Sequence, residues 1–240
     1  MNHLAGKCII WDGDSICSGS QARGSWASLI GPRNNMRWKN YAVGGGVITE
    51  NAPVSKPGLT RHCVSENLAL MYEEFPDADY IVLEGGTNDA DLLGRILNGT
   101  GDTRFGAFSP YDFSGNYDRD TFCGALESVF YRATHYWMGK KIVFIIAQKM
   151  CEKRANLETF ENRRRYFDAA AQICVKWGIP YLDLWHGCHL NPFLPWMFNG
   201  EKTTEENTLE NTGYYVDGQH LSARGYDYTA EIIEHWLNTL

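Results

Sequence analysis

The amino-acid sequence predicts an α/β protein with three layers, α/β/α, built on a central parallel sheet of about five strands. Three observations predict it. Short runs rich in apolar and β-branched residues recur along the chain, as in Cys8-Ile9-Ile10-Trp11 and Ile142-Val143-Phe144-Ile145-Ile146. Longer stretches with apolar residues at helical spacing separate them. The run Lys141 to Ala147 is apolar on both faces, as a central strand covered by helices above and below must be, and the first three runs end in glycine-containing turns.

In chain order, Cys8 to Asp12 reads as the first strand, ending in Gly13-Asp14-Ser15. Ser25 to Ile30 opens a short helix, and Arg37 to Val43 forms a second strand running into Gly44-Gly45-Gly46. Val64, Leu68, Met71 and Tyr72 mark a helix from Thr60 to Phe75, and Asp79 to Glu84 is the third strand, closed by Gly85-Gly86-Thr87-Asn88-Asp89. From Ala90 to Asp118 turn formers and aromatics (Phe105, Phe108, Tyr111, Phe113, Tyr117) carry no sustained period; the expectation is a long ordered loop that covers something. Helix returns from Asp120 to Met138, and Lys141 to Ala147 is the fourth strand. A charged helix follows from Leu157 to Trp177, stopped near Gly178, and Ile179 to Leu184 is the last strand. A second irregular stretch, His186 to Val216, holds Phe193, Trp196 and Phe198 and a polar segment from Glu201 to Asn211. Asp217-Gly218-Gln219-His220 precedes Ser222, an N-cap for a final helix with Tyr226, Ile233, Trp236 and Leu237 on its core face.

The chain of 240 residues reads as one domain, 1–240, with loop insertions at about 90–118 and 186–216. Its composition, 44% hydrophobic and 21% charged, is that of an ordinary globular protein, and no apolar run approaches the ~18 residues of a membrane span. A net charge of −7 supplies no basic field for nucleic acid and fits a small or neutral substrate. The N-terminus shows no basic region followed by an apolar stretch, so the expected compartment is cytoplasmic. Seven cysteines, an odd number without a Cys-x-x-Cys pair, read as buried thiols, neither a disulfide framework nor a zinc site.

Parallel sheets bind ligands outside the carboxyl ends of their strands. Ser15, Gly45 and Asn88 stand at three such ends, and Asp217 and His220 precede the last helix. Acyl transfer needs a nucleophile, a base, an acid that orients the base, and donors for the oxyanion. These residues include every one of those types. In Asp217-Gly218-Gln219-His220, two side chains three residues apart on a turn can face each other, leaving the far imidazole nitrogen for Ser15.

Gly13-Asp14-Ser15, Asn40-Tyr41-Ala42-Val43-Gly44-Gly45, Gly85-Gly86-Thr87-Asn88-Asp89 and Asp217-Gly218-Gln219-His220 occur in the order found in the SGNH hydrolases, also called GDSL esterases and lipases, which this chain resembles. The resemblance implies a flavodoxin-like SGNH-hydrolase fold and a metal-free, cofactor-free serine esterase. It implies Ser15 as nucleophile, His220 as general base and then acid, and Asp217 as the partner that orients His220. The oxyanion hole would comprise the Ser15 and Gly45 N–H groups and the Asn88 amide, with Gly44 the alternative to Gly45. Ile16 replaces the leucine of the family's name, and Gly46-Val47 stands where many members have Asp-Thr. The expected substrate is a small-molecule or carbohydrate ester, short-chain or O-acetyl. Lysophospholipase or thioesterase action would use the same residues.

Rival readings exist. Asp12-Gly13-Asp14 after a hydrophobic strand also resembles the start of haloacid dehalogenase-like phosphatases, with Asp12 attacking phosphorus, Mg²⁺ beside it and Lys149 after a later strand. Asp183 and Asp217 lack the neighbouring acids that metal would need. His186-Gly187-Cys188-His189 has zinc-ligand types but no matching second set. Gly44-Gly45-Gly46 lacks the rest of a dinucleotide fingerprint, with Glu66 inside a helix, and no Gly-x-Ser-x-Gly elbow exists. A carbohydrate- or lipid-binding protein on the same fold, holding ligand with the aromatic loops, is the non-enzymatic alternative.

Overall fold

The computed structural model describes residues 2–19, 22, 24–52, 61–96, 104–151, 157–198 and 213–240. Five parallel strands, β1 (Cys8–Asp12), β2 (Arg37–Asn40), β3 (Tyr80–Glu84), β4 (Lys141–Ile146) and β5 (Tyr181–Asp183), pair in the order β2-β1-β3-β4-β5. This is the expected three-layer α/β/α fold. β1 and β3 are buried at every position, which is why they read as continuous apolar runs; β2 is an exposed edge. It stops at Asn40, short of the expected Val43, because the chain turns there to cross over the end of β1: Val43 N–H donates to Gly13 O at 3.2 Å. β5 likewise has only three residues, and Leu184 already opens a helical turn.

The helices are α1 (Ser15–Ser18), α2 (Trp26–Arg33), α3 (Val64–Glu74), α4 (Thr87–Ile96), α5 (Phe122–Tyr136), α6 (Leu157–Trp177), α7 (Leu184–Gly187) and α8 (Ala223–Leu237). Ser25 and Ser28 form a reciprocal capping box that starts α2. Ser222 caps α8, whose Tyr226, Thr229, Ala230, Ile233 and Leu237 repeat at helical spacing on its buried face. α2 and α8 pack together, joined by the bond from Trp26 Nε1 to Thr229 Oγ1 (2.8 Å), while α3, α5 and α6 pack in series.

The first insertion begins later than expected. Residues 90–96 continue α4, which starts directly at the end of β3 and seats Ala90 and Asp91 in the interior against α6. The remainder that is described, from Arg104, packs along α5 and α6. Phe105 meets Phe122 and Tyr166, and Phe113 and Tyr117 meet Trp177, the last residue of α6. What this loop covers is the Lys176–Glu127 ion pair, 2% and 3% exposed, with the ammonium 5.0 Å from the Phe113 ring centre and 5.5 Å from that of Tyr117. Cation–π attraction offsets part of the cost of burying that pair. Residues 97–103, the expected helix start at Thr60 and the polar segment Glu201 to Asn211 lie outside the described residues. All seven cysteines are buried and unpaired, and no described helix is long and apolar enough to cross a membrane.

Candidate active site

β1 and β3 are neighbours although β2 intervenes in sequence, so the connections leaving β1 and β3 diverge and open a crevice at their carboxyl ends. Ser15 lies there, not in a loop but as the first residue of the four-residue helix α1. Asp14 caps that turn by accepting the Ile16 N–H at 2.7 Å, and the Tyr226 hydroxyl of α8 donates to Ile16 O at 2.6 Å. The serine, 7% exposed, is thereby held from both sides.

Ser15 Oγ lies 2.9 Å from His220 Nε2, and His220 Nδ1 lies 2.8 Å from Asp217 Oδ2. The other carboxylate oxygen of Asp217 accepts the Gln219 and His220 backbone N–H groups at 3.0 and 2.8 Å. Burial pushes the Asp217 carboxyl upward, but the His220 ring and these N–H groups outweigh it and bring the value down to about 2. Gly218 adopts φ +84°, and a β-carbon on it would sit 2.6 Å from Cys151 O, so this turn requires glycine on both counts.

The turn is braced by residues with no obvious signal in the sequence. Gln148 Nε2 donates to Gln219 O at 3.0 Å, and Cys151 N–H donates to Gly218 O at 2.9 Å. Arg163, 1% exposed, donates to Gln219 Oε1 at 2.9 Å while its guanidinium forks onto Asp91 of α4. The segment after β4, α4 and α6 thus all bear on the backbone that carries His220.

On the opposite side, Val43 to Gly46 form a β-turn closed by Gly46 N–H to Val43 O (2.9 Å), with Gly45 at the third position and φ +81°, a type II geometry that favours glycine. Among the described residues the Gly45 N–H has no acceptor. The Asn88 amide, at the start of α4, donates to Gly46 O at 2.9 Å and more weakly to Asp14 Oδ2 at 3.3 Å. The four sequence blocks therefore converge on one crevice.

Beneath it lies a buried carboxyl pair. Glu84 ends β3 with no solvent exposure, and its Oε2 accepts the Asp14 N–H at 3.1 Å. Burial and then the Asp14 charge push Glu84 well above the usual carboxylate range; burial also raises Asp14, countered by the Ile16 N–H and by Glu84. Glu84, with burial and the Asp14 charge acting in the same sense, is the member raised further. An acidic residue ending an otherwise apolar strand was the available sequence signal.

Asp12, the phosphatase nucleophile of the rival reading, is fully buried. It is engaged by His62 Nε2 (2.6 Å), Asn67 Nδ2 (3.0 Å) and its own Gly13 N–H (2.8 Å). Asp183 accepts from the His186 backbone N–H and pairs with its ring, and Cys188 is buried, which raises its thiol to about 11. Among the described residues no three metal-ligating side chains cluster.

The GDSL-like Lipase/Acylhydrolase family matches residues 13–228. No curated protein matches the sequence. Among solved structures, a protein from Lactobacillus plantarum is similar at 21% identity over 99% of both chains, with a TM-score of 0.69. A carbohydrate acetylesterase from Sinorhizobium meliloti is similar at 11% identity over 97% of this chain and 99% of its own, TM-score 0.61. Axe2, an acetylxylan esterase from Geobacillus stearothermophilus, is similar at 14% identity over 98% and 95%, TM-score 0.61.

Proposed function

The chain belongs to the GDSL-like lipase/acylhydrolase family, and on that premise we propose that it is a serine esterase working through an acyl-enzyme on short acyl esters, O-acetyl groups on carbohydrate above all. The observation that carries the reading is the unbroken chain of contacts from Ser15 through His220 to Asp217.

In this reading Ser15 Oγ attacks the ester carbonyl carbon as His220 Nε2 takes its proton. Asp217 holds the proton on Nδ1, so that Nε2 begins as an acceptor, and steadies the imidazolium that forms. The tetrahedral oxyanion receives the Ser15 N–H, which as the first of a helix has no intrahelical acceptor, and the Gly45 N–H. Asn88 contributes by exchanging its longer contact to Asp14 for the oxyanion while keeping its bond to Gly46 O. As the intermediate collapses, the carbonyl–alkoxy bond breaks and His220 protonates the departing alcohol. Water then attacks the acyl-enzyme, its proton goes to His220, and Ser15 leaves with that proton restored.

Two lines support the substrate class. Structural relatives named above act on acetylated carbohydrate. The second aromatic segment also lies against the catalytic turn: Phe198 packs on Gly218, and the same segment exposes Phe193 (56%) and Trp196 (73%), flat rings of the kind that stack on sugar faces. The test is an ester panel running from acetyl to palmitoyl and including acetylated sugars, assayed on wild type and Ser15→Ala. Ser15-dependent turnover highest for acetyl esters is expected; a rate rising toward palmitoyl overturns the short-acyl preference, and turnover surviving in Ser15→Ala overturns the nucleophile.

A further inference from the structure

Arg61 is not used in the mechanism above, yet its guanidinium rests on the loop that the mechanism turns toward the substrate. Nη1 donates to Gly45 O at 3.1 Å. The nitrogen and carbonyl oxygen of one residue are at most about 3.6 Å apart, so Nη1 lies within about 7 Å of the Gly45 N–H. Gly45 borders open space, since a β-carbon built on it meets nothing within 4 Å.

This charge has no carboxylate partner among the described residues, and the buried Nε has no acceptor. The acids on neighbouring segments are committed elsewhere. Asp12 is held by His62 and Asn67, Asp89 by Ile48 and Thr49, and Glu50 by Ser65 and Arg119. Burial pulls the Arg61 guanidinium below the ordinary arginine value, and Asp89 pushes it partly back. Nη1 is taken by Gly45 O and Nε is sealed from solvent, which leaves Nη2, without an acceptor among the described residues, as the donor for a charge-assisted hydrogen bond to a substrate anion. The chain as a whole carries a net charge of −7, which repels anions at long range, so a local cation is needed for such a substrate.

We propose that Arg61 forms an anion subsite beside the Gly45 loop and that the preferred esters carry a carboxylate near the scissile carbonyl. The proposal rests on the esterase reading and narrows its substrate class. The carboxylate belongs either to the acyl group or to the alcohol, and matched pairs distinguish the two: 4-nitrophenyl hemisuccinate against 4-nitrophenyl butyrate, and acetylated glucuronic acid against acetylated glucose.

The quantity to read is the ratio of kcat/KM for the anionic over the neutral member in wild type, Arg61→Lys and Arg61→Met, with thermal melts to establish that each variant is folded. In one pair the ratio is expected to fall about tenfold or more in Arg61→Met, the order of a lost charge-assisted hydrogen bond, and by less in Arg61→Lys. A ratio that is the same in wild type and Arg61→Met for both pairs overturns the subsite, as does an equal loss for both members, which would make Arg61 only a prop for the Gly45 carbonyl. Ser15→Ala, run on the same substrates, separates the two failures. Hydrolysis that needs Ser15 with an unmoved ratio removes the subsite alone, whereas hydrolysis that persists without Ser15 removes the esterase reading and the subsite with it.

Discussion

Ser15 Oγ and His220 Nε2 stand 2.9 Å apart across 205 residues of sequence. The contact exists because α8 ties itself to the nucleophile turn through Tyr226 and Ile16 while Gln148 and Cys151 fix the turn that carries the histidine. Ser15→Ala is expected to lower kcat by about 10⁴-fold or more with little change in melting temperature, since it removes one hydroxyl from a part-exposed bond. A fluorophosphonate adduct should map to Ser15 in wild type and vanish in the variant.

Asp217→Asn should leave KM nearly unchanged and reduce kcat by about 10³- to 10⁴-fold, because an amide no longer holds the imidazole in the required tautomer. The carboxyl lies at about 2, below its ordinary 3.8, so it contributes stability above the ordinary value that is lost as pH falls from about 4 toward about 2. Over that window the melting temperature of wild type should drop more steeply than that of Asp217→Asn.

Asn88→Ala removes a donor from the proposed oxyanion hole and is expected to cost about 10²- to 10³-fold in kcat. It also leaves Gly46 O without the amide that holds it, so a stability loss of about 1 kcal/mol should accompany it in denaturant titration. Stability falling with kcat intact would reduce Asn88 to a structural clamp.

Glu84→Gln tests the buried carboxyl pair. A folded-state value raised above the unfolded one means that the native protein retains a proton the unfolded chain gives up, so wild-type stability declines as pH rises from about 4.5, by at most about 1.4 kcal/mol per pH unit. Glutamine keeps a neutral donor and carries no proton to lose. The stability difference in favour of Glu84→Gln should therefore widen with pH, and identical pH slopes for the two proteins would show that Glu84 is ionised in the fold.

Much of this protein was legible in the chain itself. β1, β3 and β4 are central strands, and a strand covered on both faces is apolar along most of its length, so the runs within Cys8–Asp12, Tyr80–Glu84 and Lys141–Ile146 announced themselves. Their order, with polar groups at strand ends and an Asp-x-x-His turn before the last helix, placed Ser15, Asn88, Asp217 and His220 on one sheet edge. Local patterns failed where long-range contacts decide. α4 was hidden because Gly94 and the glycines after it blur its period, although burial of Ala90 and Asp91 against α6 supports it. The aromatics of the first insertion marked an ordered loop that covers something, but what their rings pack around is Lys176, whose partner Glu127 is 49 residues away.

By itself, then, the sequence determined the layer architecture and which residue types meet at the carboxyl ends of the strands, because hydrophobic periodicity and turn chemistry are local properties. Only the tertiary structure decided that Asp12 is sealed by His62 and Asn67, that burial raises Glu84 beneath Asp14, that Arg163 braces the histidine turn and that Arg61 rests on the Gly45 carbonyl with no carboxylate partner among the described residues. Each of these depends on how far a carboxylate or guanidinium is removed from water and on which distant group meets it there, and neither quantity is written in the spacing of residues along the chain.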